Sequence, residues 1–150
     1  MERTIKVRIY NATSWELPAY ATPESSGFDL RAFIENPILL MPGERFLVPT
    51  GIYLQLPPLY EAQVRPRSGL ANKFGISIVN TPGTVDSDYR GQIHVNLINL
   101  GSQDFTINPG DRIAQAVILP VFQAVWEPVS KLEDLSSTLR GANGHGSTGK

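Results

Sequence analysis

The chain has 150 residues, a net charge of −1 and 41% hydrophobic residues, which fits one folded domain rather than a disordered chain. No broad basic field is available for sequence-independent binding to nucleic acid. With no cysteine and only His94 and His145, disulfides, thiol nucleophiles and Cys-based zinc sites are excluded and a multi-histidine metal site is disfavoured.

The N-terminal MERTIKVRIY alternates, with Ile5, Val7 and Ile9 on one face. It has no apolar signal core, so an intracellular, cytoplasmic location is expected. GFDLRAF sets Phe28, Leu30 and Ala32 against Asp29 and Arg31. MPGERFLVP at 41 resembles NPGDRIAQA at 108, as two hairpins sharing Pro-Gly turn chemistry would. GIYLQL places Ile52, Leu54 and Leu56 on one face, and YEAQVR continues the strand pattern. SGLANKF predicts one short helix with Ser68 placed to cap it. FGISIV, QIHVNL (with Ile93, Val95 and Leu97 inward), DFTI and RIAQAVIL add further strands, separated by turn signals at Pro82-Gly83 and Pro109-Gly110. AVILPVFQAVW is too short, and too broken by Pro120 and Gln123, to span a membrane. A single helical turn is predicted near SKLEDL. Many short strands without a long helical pattern predict an all-β sandwich or barrel. From Gly141 the chain is glycine-rich and nearly free of apolar side chains, so it is expected to be mobile when empty.

Four stretches mix charge with glycine. SGFDLRA contributes Asp29, RPRSGLA contributes Arg65, Arg67 and Ser68, and PGDRIAQ contributes Asp111 and Arg112. GTVDSDYRGQI gathers Asp86, Asp88, Tyr89 and Arg90 between a turn signal and an alternating apolar run. Each alone reads as a solvated strand face, a surface ion pair or a turn. Together they supply anion ligands in arginine, serine hydroxyl and helix N–H groups. Carboxylates without a partnering His or Cys suit either a Mg²⁺ shell or the activation of water. This chemistry fits Mg²⁺-dependent cleavage of a nucleotide polyphosphate.

Five stretches in order, SGFDLRA (26–32), RPRSGLA (65–71), NTPGTVDSDYRGQI (80–93), PGDRIAQ (109–115) and RGANGHGSTG (140–149), resemble the motifs of the trimeric dUTP diphosphatase (dUTPase) family. The resemblance implies an all-β subunit, β-barrel or jelly-roll-like, of the dUTPase β-clip type. Residues 1–140 would form this single domain, and 141–150 a flexible arm closing over a neighbouring subunit's site. It implies a homotrimer with shared sites, Mg²⁺ as cofactor, dUTP as substrate, and neither nucleic acid nor membrane as partner. The products would be dUMP and pyrophosphate, limiting uracil in DNA and supplying dUMP for thymidylate synthesis.

Residue by residue, the third motif would be a β-hairpin receiving uracil and deoxyribose. Asn80 and the backbone at Gly83 and Val85 would read the base, Tyr89 would pack beneath the sugar, and Asp86 would orient the attacking water. Asp88 and Arg90 would be mainly structural. Asp29 would hold Mg²⁺ through water. Arg67, Ser68, Gly69 and Gln115 would bind phosphates, and Arg140, Gly146, Ser147 and Thr148 would close on the γ-phosphate. His145 stands where the family usually has a phenylalanine that stacks on uracil, which implies weaker closure of the arm. Two other functions fit parts of the pattern: a dCTP deaminase-type relative and a non-catalytic β-module that binds dUTP. The deaminase reading needs a glutamate base where Asn96 stands.

Overall fold

The computed structural model describes residues 4–144. The strands run β1 (Arg8–Asn11), β2 (Phe28–Arg31), β3 (Ile38–Leu40), β4 (Arg45–Pro49), β5 (Ile52–Gln55), β6 (Tyr60–Arg65), β7 (Ile76–Ile78), β8 (Gly83–Val85), β9 (His94–Asn99), β10 (Phe105–Ile107) and β11 (Arg112–Pro120). One helix, α1 (Ser68–Phe74), joins β6 to β7, and a 3-10 turn forms at Leu132–Asp134 where SKLEDL predicts one. No helix among the described residues is long and apolar enough to cross a membrane.

Period-two alternation does most of the folding work. Leu30 and Ala32, then Ile52, Leu54 and Leu56, then Ile93, Val95 and Leu97 all enter one buried cluster. The polar neighbours of these residues point outward. Burying a side chain of this kind contributes about 1.5–3 kcal/mol, so the alternating runs supply most of the apolar drive. At the N-terminus the pattern weakens: Val7 and Ile9 pack on the core, while Ile5 is exposed and precedes the strand.

Three successive strands pair in nested order with three later ones: β4 with β9, β3 with β10, and β2 with β11, all antiparallel. The chain therefore behaves as one long ribbon folded over, and it changes sheet at the two Pro-Gly turns. Gly43 and Gly110 both have positive φ, +83° and +82°, which glycine adopts without steric cost. Each turn is closed the same way. The backbone N–H of Met41 donates to Glu44 Oε2, and that of Asn108 donates to Asp111 Oδ2. The shared turn chemistry is present, but neither turn closes a hairpin: β3 and β4 lie in different sheets, as do β10 and β11.

The expected barrel or jelly-roll-like closure is corrected by the strand pairing. The described strands form four open sheets, ordered β1-β5, β10-β3, β2-β11-β6-β8 and β4-β9-β7, and none closes into a barrel. Closure requires the first strand of a sheet to bond to its last, whereas β2 and β8 stay at opposite ends of the four-stranded sheet. Alternation reports which face of a strand is buried, not which strand lies beside it. The third motif likewise does not form the expected hairpin, because β8 pairs with β6 while β9 pairs with β4 and β7.

Helix α1 forms where SGLANKF predicts it, but its N-cap is Arg67, with no side-chain cap hydrogen bond, and Ser68 is the first helical residue. The helix ends on Gly75 at φ +69°. A Cβ on Gly75 would lie 2.6 Å from the Gly101 nitrogen, and one on Gly101 would run into the Phe74 oxygen. Two glycines thus let the C-terminus of α1 cross the chain just after β9 at backbone contact, and the Leu100 N–H donates to Gly75 O. This crossing fixes the helix whose other end carries Ser68 and Gly69.

Candidate active site

The site begins on β2. Alternation buries Leu30 and leaves Asp29 half-exposed on the opposite face. Its register partner on β11 is Gln115, whose partner on β6 is Arg65. Just beyond β6 the chain turns through Pro66 into α1, which sets Arg67 beside Asp29. Arg67 Nε lies 2.9 Å from Asp29 Oδ1, and Arg67 Nη1 donates to Arg112 O at 3.2 Å. Arg112 Nη1 approaches Asp29 Oδ2 at 3.5 Å. These two are the ion pairs found among the described residues.

Gln115 Nε2 donates to Pro66 O at 2.9 Å, tying β11 to the entrance of α1. Gly27 makes room for this side chain, since a Cβ there would lie 3.0 Å from Gln115 Oε1. Asp29, Arg67, Ser68, Gly69 and Gln115 line one open cleft of about 540 Å³, together with Gly27, Lys73 and Arg112. Ser68 and Gly69 are exposed at the first turn of α1, whose leading N–H groups lack helical acceptors. The cleft therefore offers guanidinium, hydroxyl, amide and backbone donors around one carboxylate, a set suited to an anion that carries a cation with it.

Lys73 lines this cleft without being singled out from the sequence, and Arg112 does so although its motif assigns it no role in the site. Lys73 lies four residues after Gly69, one helical turn along the same face. The signal for Arg112 is the consecutive apolar pair Ile113-Ala114, which breaks the alternation of β11.

The third-motif residues assemble elsewhere. Asn80, Gly83, Val85, Asp86 and Tyr89 do not line the cleft. They belong to β8 and its flanks, at the opposite edge of the sheet from β2. A Cβ on Gly83 would sit 3.4 Å from Asn80 Nδ2, so the Asn80 amide lies beside the strand. After Val85 the loop closes as a turn, with the Tyr89 N–H donating to Asp86 O at 3.2 Å. The Asp86 side chain is exposed and has no hydrogen bond or ion pair among the described residues. Tyr89 folds back over Gly91 and donates its hydroxyl to Gln92 O at 2.9 Å. Arg90 Nη1 donates to the carbonyls of Ser87 and Tyr89, while Asp88 is exposed and unpaired among the described residues. Arg140 is exposed and donates to Asn143 O. His145, Gly146, Ser147 and Thr148 lie outside the described residues.

No group of three or more His, Cys, Asp or Glu side chains able to hold a metal occurs among the described residues. A single carboxylate in a cleft of donors still fits Mg²⁺, which keeps several waters and binds through one or two carboxylates plus substrate phosphates.

Comparison with known proteins gives a consistent result. A family model described as dUTPase matches residues 13–149. A protein of Maricaulis maris named deoxyuridine 5'-triphosphate nucleotidohydrolase is 56% identical over 151 residues, covering 97% of each chain. One of the same name from Chlamydia pneumoniae is 58% identical over 134 residues, covering 89% of this chain and 91% of its own. Among solved structures, a dUTPase of Staphylococcus bacteriophage 80alpha with dUpNHpp aligns at TM-score 0.81 and 22% identity, covering 98% of this chain and 100% of its own. A phage phi11 dUTPase, described as coordinating a structural Mg(II) ion, aligns at TM-score 0.75 and 20% identity, covering 86% and 99%. These two structural likenesses bear on the fold.

Proposed function

The chain belongs to the dUTPase family, and from that premise we propose that it hydrolyses dUTP to dUMP and pyrophosphate by attack of water on the α-phosphorus. The observation that carries the reading is the division of the motif residues into two half-sites on opposite edges of one sheet. A cleft of anion donors on one chain and a base-reading strand with a free carboxylate on another make a complete site when copies associate head to tail. Head-to-tail contacts close into a ring when the rotation allows, and a ring of three is the assembly we propose from the family resemblance.

The chain's last described segment supports assembly. After the Val121 N–H bonds to Leu59 O, Phe122, Val125 and Trp126 are 94%, 96% and 85% exposed. Apolar side chains so close together in sequence and so bare mark an interaction surface, and a neighbouring subunit is the occupant we propose. Arg140, His145, Gly146, Ser147 and Thr148 would follow this segment onto a site between two other subunits, closing on the γ-phosphate and the base.

In the cleft, Arg67, Ser68, Gly69 and Gln115 bind phosphate oxygens, and Asp29 would hold Mg²⁺ from outside its water shell. Mg²⁺, when bound, neutralises charge on the triphosphate and on the departing pyrophosphate. At the other half-site, β8 is an edge strand bonded only to β6, so its outer N–H and C=O groups are open to pair with uracil. Cytosine would set its amino donor against a backbone donor, costing about 1–3 kcal/mol per unpaired group. The Tyr89 ring, pinned through Gln92 O, is a rigid floor for deoxyribose and crowds a 2′-hydroxyl. Asp86 orients the water and takes its proton.

The test is turnover of dUTP, dCTP, dTTP and UTP separately in ¹⁸O-labelled water with Mg²⁺. We expect pyrophosphate from dUTP alone, with the label in dUMP. Label in pyrophosphate would move the attack to the β-phosphorus. Ammonia from dCTP would favour deamination, although the Asn96 amide cannot take a proton from water. Binding of dUTP without products would leave a non-catalytic module.

A further inference from the structure

We propose that Arg112 is a positioning residue that keeps Asp29 aimed at the metal-bound waters once Arg67 has turned to the phosphates. The proposal rests on the reading of Asp29 given above. Arg67 has two tasks that compete. Its Nε is the nearest cation to Asp29, at 2.9 Å. Phosphate oxygens at its Nη2, which makes no hydrogen bond among the described residues, would pull the guanidinium against that bond, and a second partner on Oδ2 holds Asp29 in one rotamer.

Arg112 is placed for that task by a defect in β11. The register between β2 and β11 shifts between Arg112 and Ala114, and Ile113 and Ala114 are both buried. A bulge adds one residue and re-aims the side chains beside it. Arg112 and Gln115 therefore both face outward, on either side of a buried pair, where strict alternation would have turned one of them inward.

The neighbouring charges leave Arg112 one destination. Its register partner on β2 is Arg31, and like charges directly across a ladder repel. Arg31 is already engaged, its Nη1 donating to Gly110 O at 3.0 Å. Arg112 turns instead to Asp29 Oδ2, at a loose 3.5 Å. Its own carbonyl accepts from Arg67 Nη1, so the two arginines are linked through backbone as well as through the shared carboxylate. The Arg112 side chain is 53% exposed, and an ion pair that open contributes little to stability. The contact is thus poorly explained as a fold-stabilising one.

The experiment measures the affinity of the non-hydrolysable α,β-imido analogue of dUTP by calorimetry, with and without Mg²⁺. The proteins are wild type, Arg112→Ala, Arg112→Lys, Asp29→Asn and the Asp29→Asn/Arg112→Ala double variant. For Arg112→Ala we expect metal-free affinity within about twofold of wild type and about a tenfold loss of the Mg²⁺ enhancement, the usual cost of losing an outer-shell partner. Arg112→Lys should recover part of that loss, and Arg112→Ala added to Asp29→Asn should change nothing further. Unaltered thermal melting of the single variants would separate these effects from unfolding. Loss of metal-free affinity in Arg112→Ala, additive with Asp29→Asn, would overturn the proposal by making Arg112 a direct phosphate ligand. Loss of the Mg²⁺ enhancement in Asp29→Asn but not in Arg112→Ala would overturn it while leaving the reading of Asp29 intact. An unchanged enhancement in Asp29→Asn would sink that reading and this proposal with it.

Discussion

Replacing Asp86 by Asn is expected to lower kcat for dUTP by about 10²–10⁴-fold, the range over which a positioned general base contributes. KM should change far less, because the amide keeps the size of the side chain and loses only its ability to take a proton. The fold should not respond. Asp86 is exposed and its side chain has no partner among the described residues, so melting should stay within about 0.5 kcal/mol of wild type. Steady-state release of pyrophosphate, read beside a thermal melt, checks both halves. Undiminished turnover would reduce Asp86 to the turn residue that its backbone bond to Tyr89 already makes it.

A second large effect is expected from Phe122→Glu combined with Trp126→Glu. In the single chain these side chains are almost wholly bare, so removing them costs the monomer nothing. Seated against a neighbour, each would bury apolar area contributing about 1.5–3 kcal/mol, repeated at every interface of the ring. A carboxylate in the same place must also be dehydrated without a partner. Light scattering should show the mass falling to one third. Turnover should be lost with it, since the cleft and the β8 half-site part company. An unchanged mass would show that the segment around Phe122 is not what holds the copies together.

Much of this fold was legible because the signals are local. Ile93, Val95 and Leu97 declare a half-buried strand, and SGLANKF a short helix, whatever the rest of the chain does. The strand Ile38–Leu40 went unseen because its three residues are all apolar and show no alternation, whereas Ile76–Ile78 and Phe105–Ile107, equally short, alternate. Gly83–Val85 is expected only as part of a hairpin, because its turn glycine hides the strand. The strand Arg45–Pro49 is obscured differently: its first three residues are all exposed, so Phe46 and Leu47 follow one another without an inward partner between them. The barrel failed because closure depends on which strands meet across the sheet, and the nested pairing of β2–β4 with β9–β11 is a long-range property.

The candidate site divides along the same line. Asp29, Arg67, Ser68, Gly69 and Gln115 are marked by motifs and do share a cleft, because Asp29 and Gln115 are register partners on adjacent strands and β6, paired to the same residue, leads directly into the start of α1. The role of Arg112 is hidden because a bulge, not the motif, decides its direction. Nothing in the sequence says that Asp86 and Tyr89 stand at the far edge of the sheet from that cleft. Their separation follows from the order β2-β11-β6-β8, and it turns a list of motifs into a claim about assembly.

That claim is tested most directly by mixing two inactive proteins. Asp86→Asn keeps its cleft and loses its carboxylate, while Arg67→Ala keeps its carboxylate and loses the guanidinium proposed to bind phosphate. If each site joins the cleft of one subunit to the β8 loop of another, co-refolding equal amounts should restore about a quarter of wild-type turnover, the share of sites drawing both intact halves in a randomly assembled ring. Activity no greater than the sum of the two variants alone, in mixed rings verified by mass, would contradict a site shared between chains.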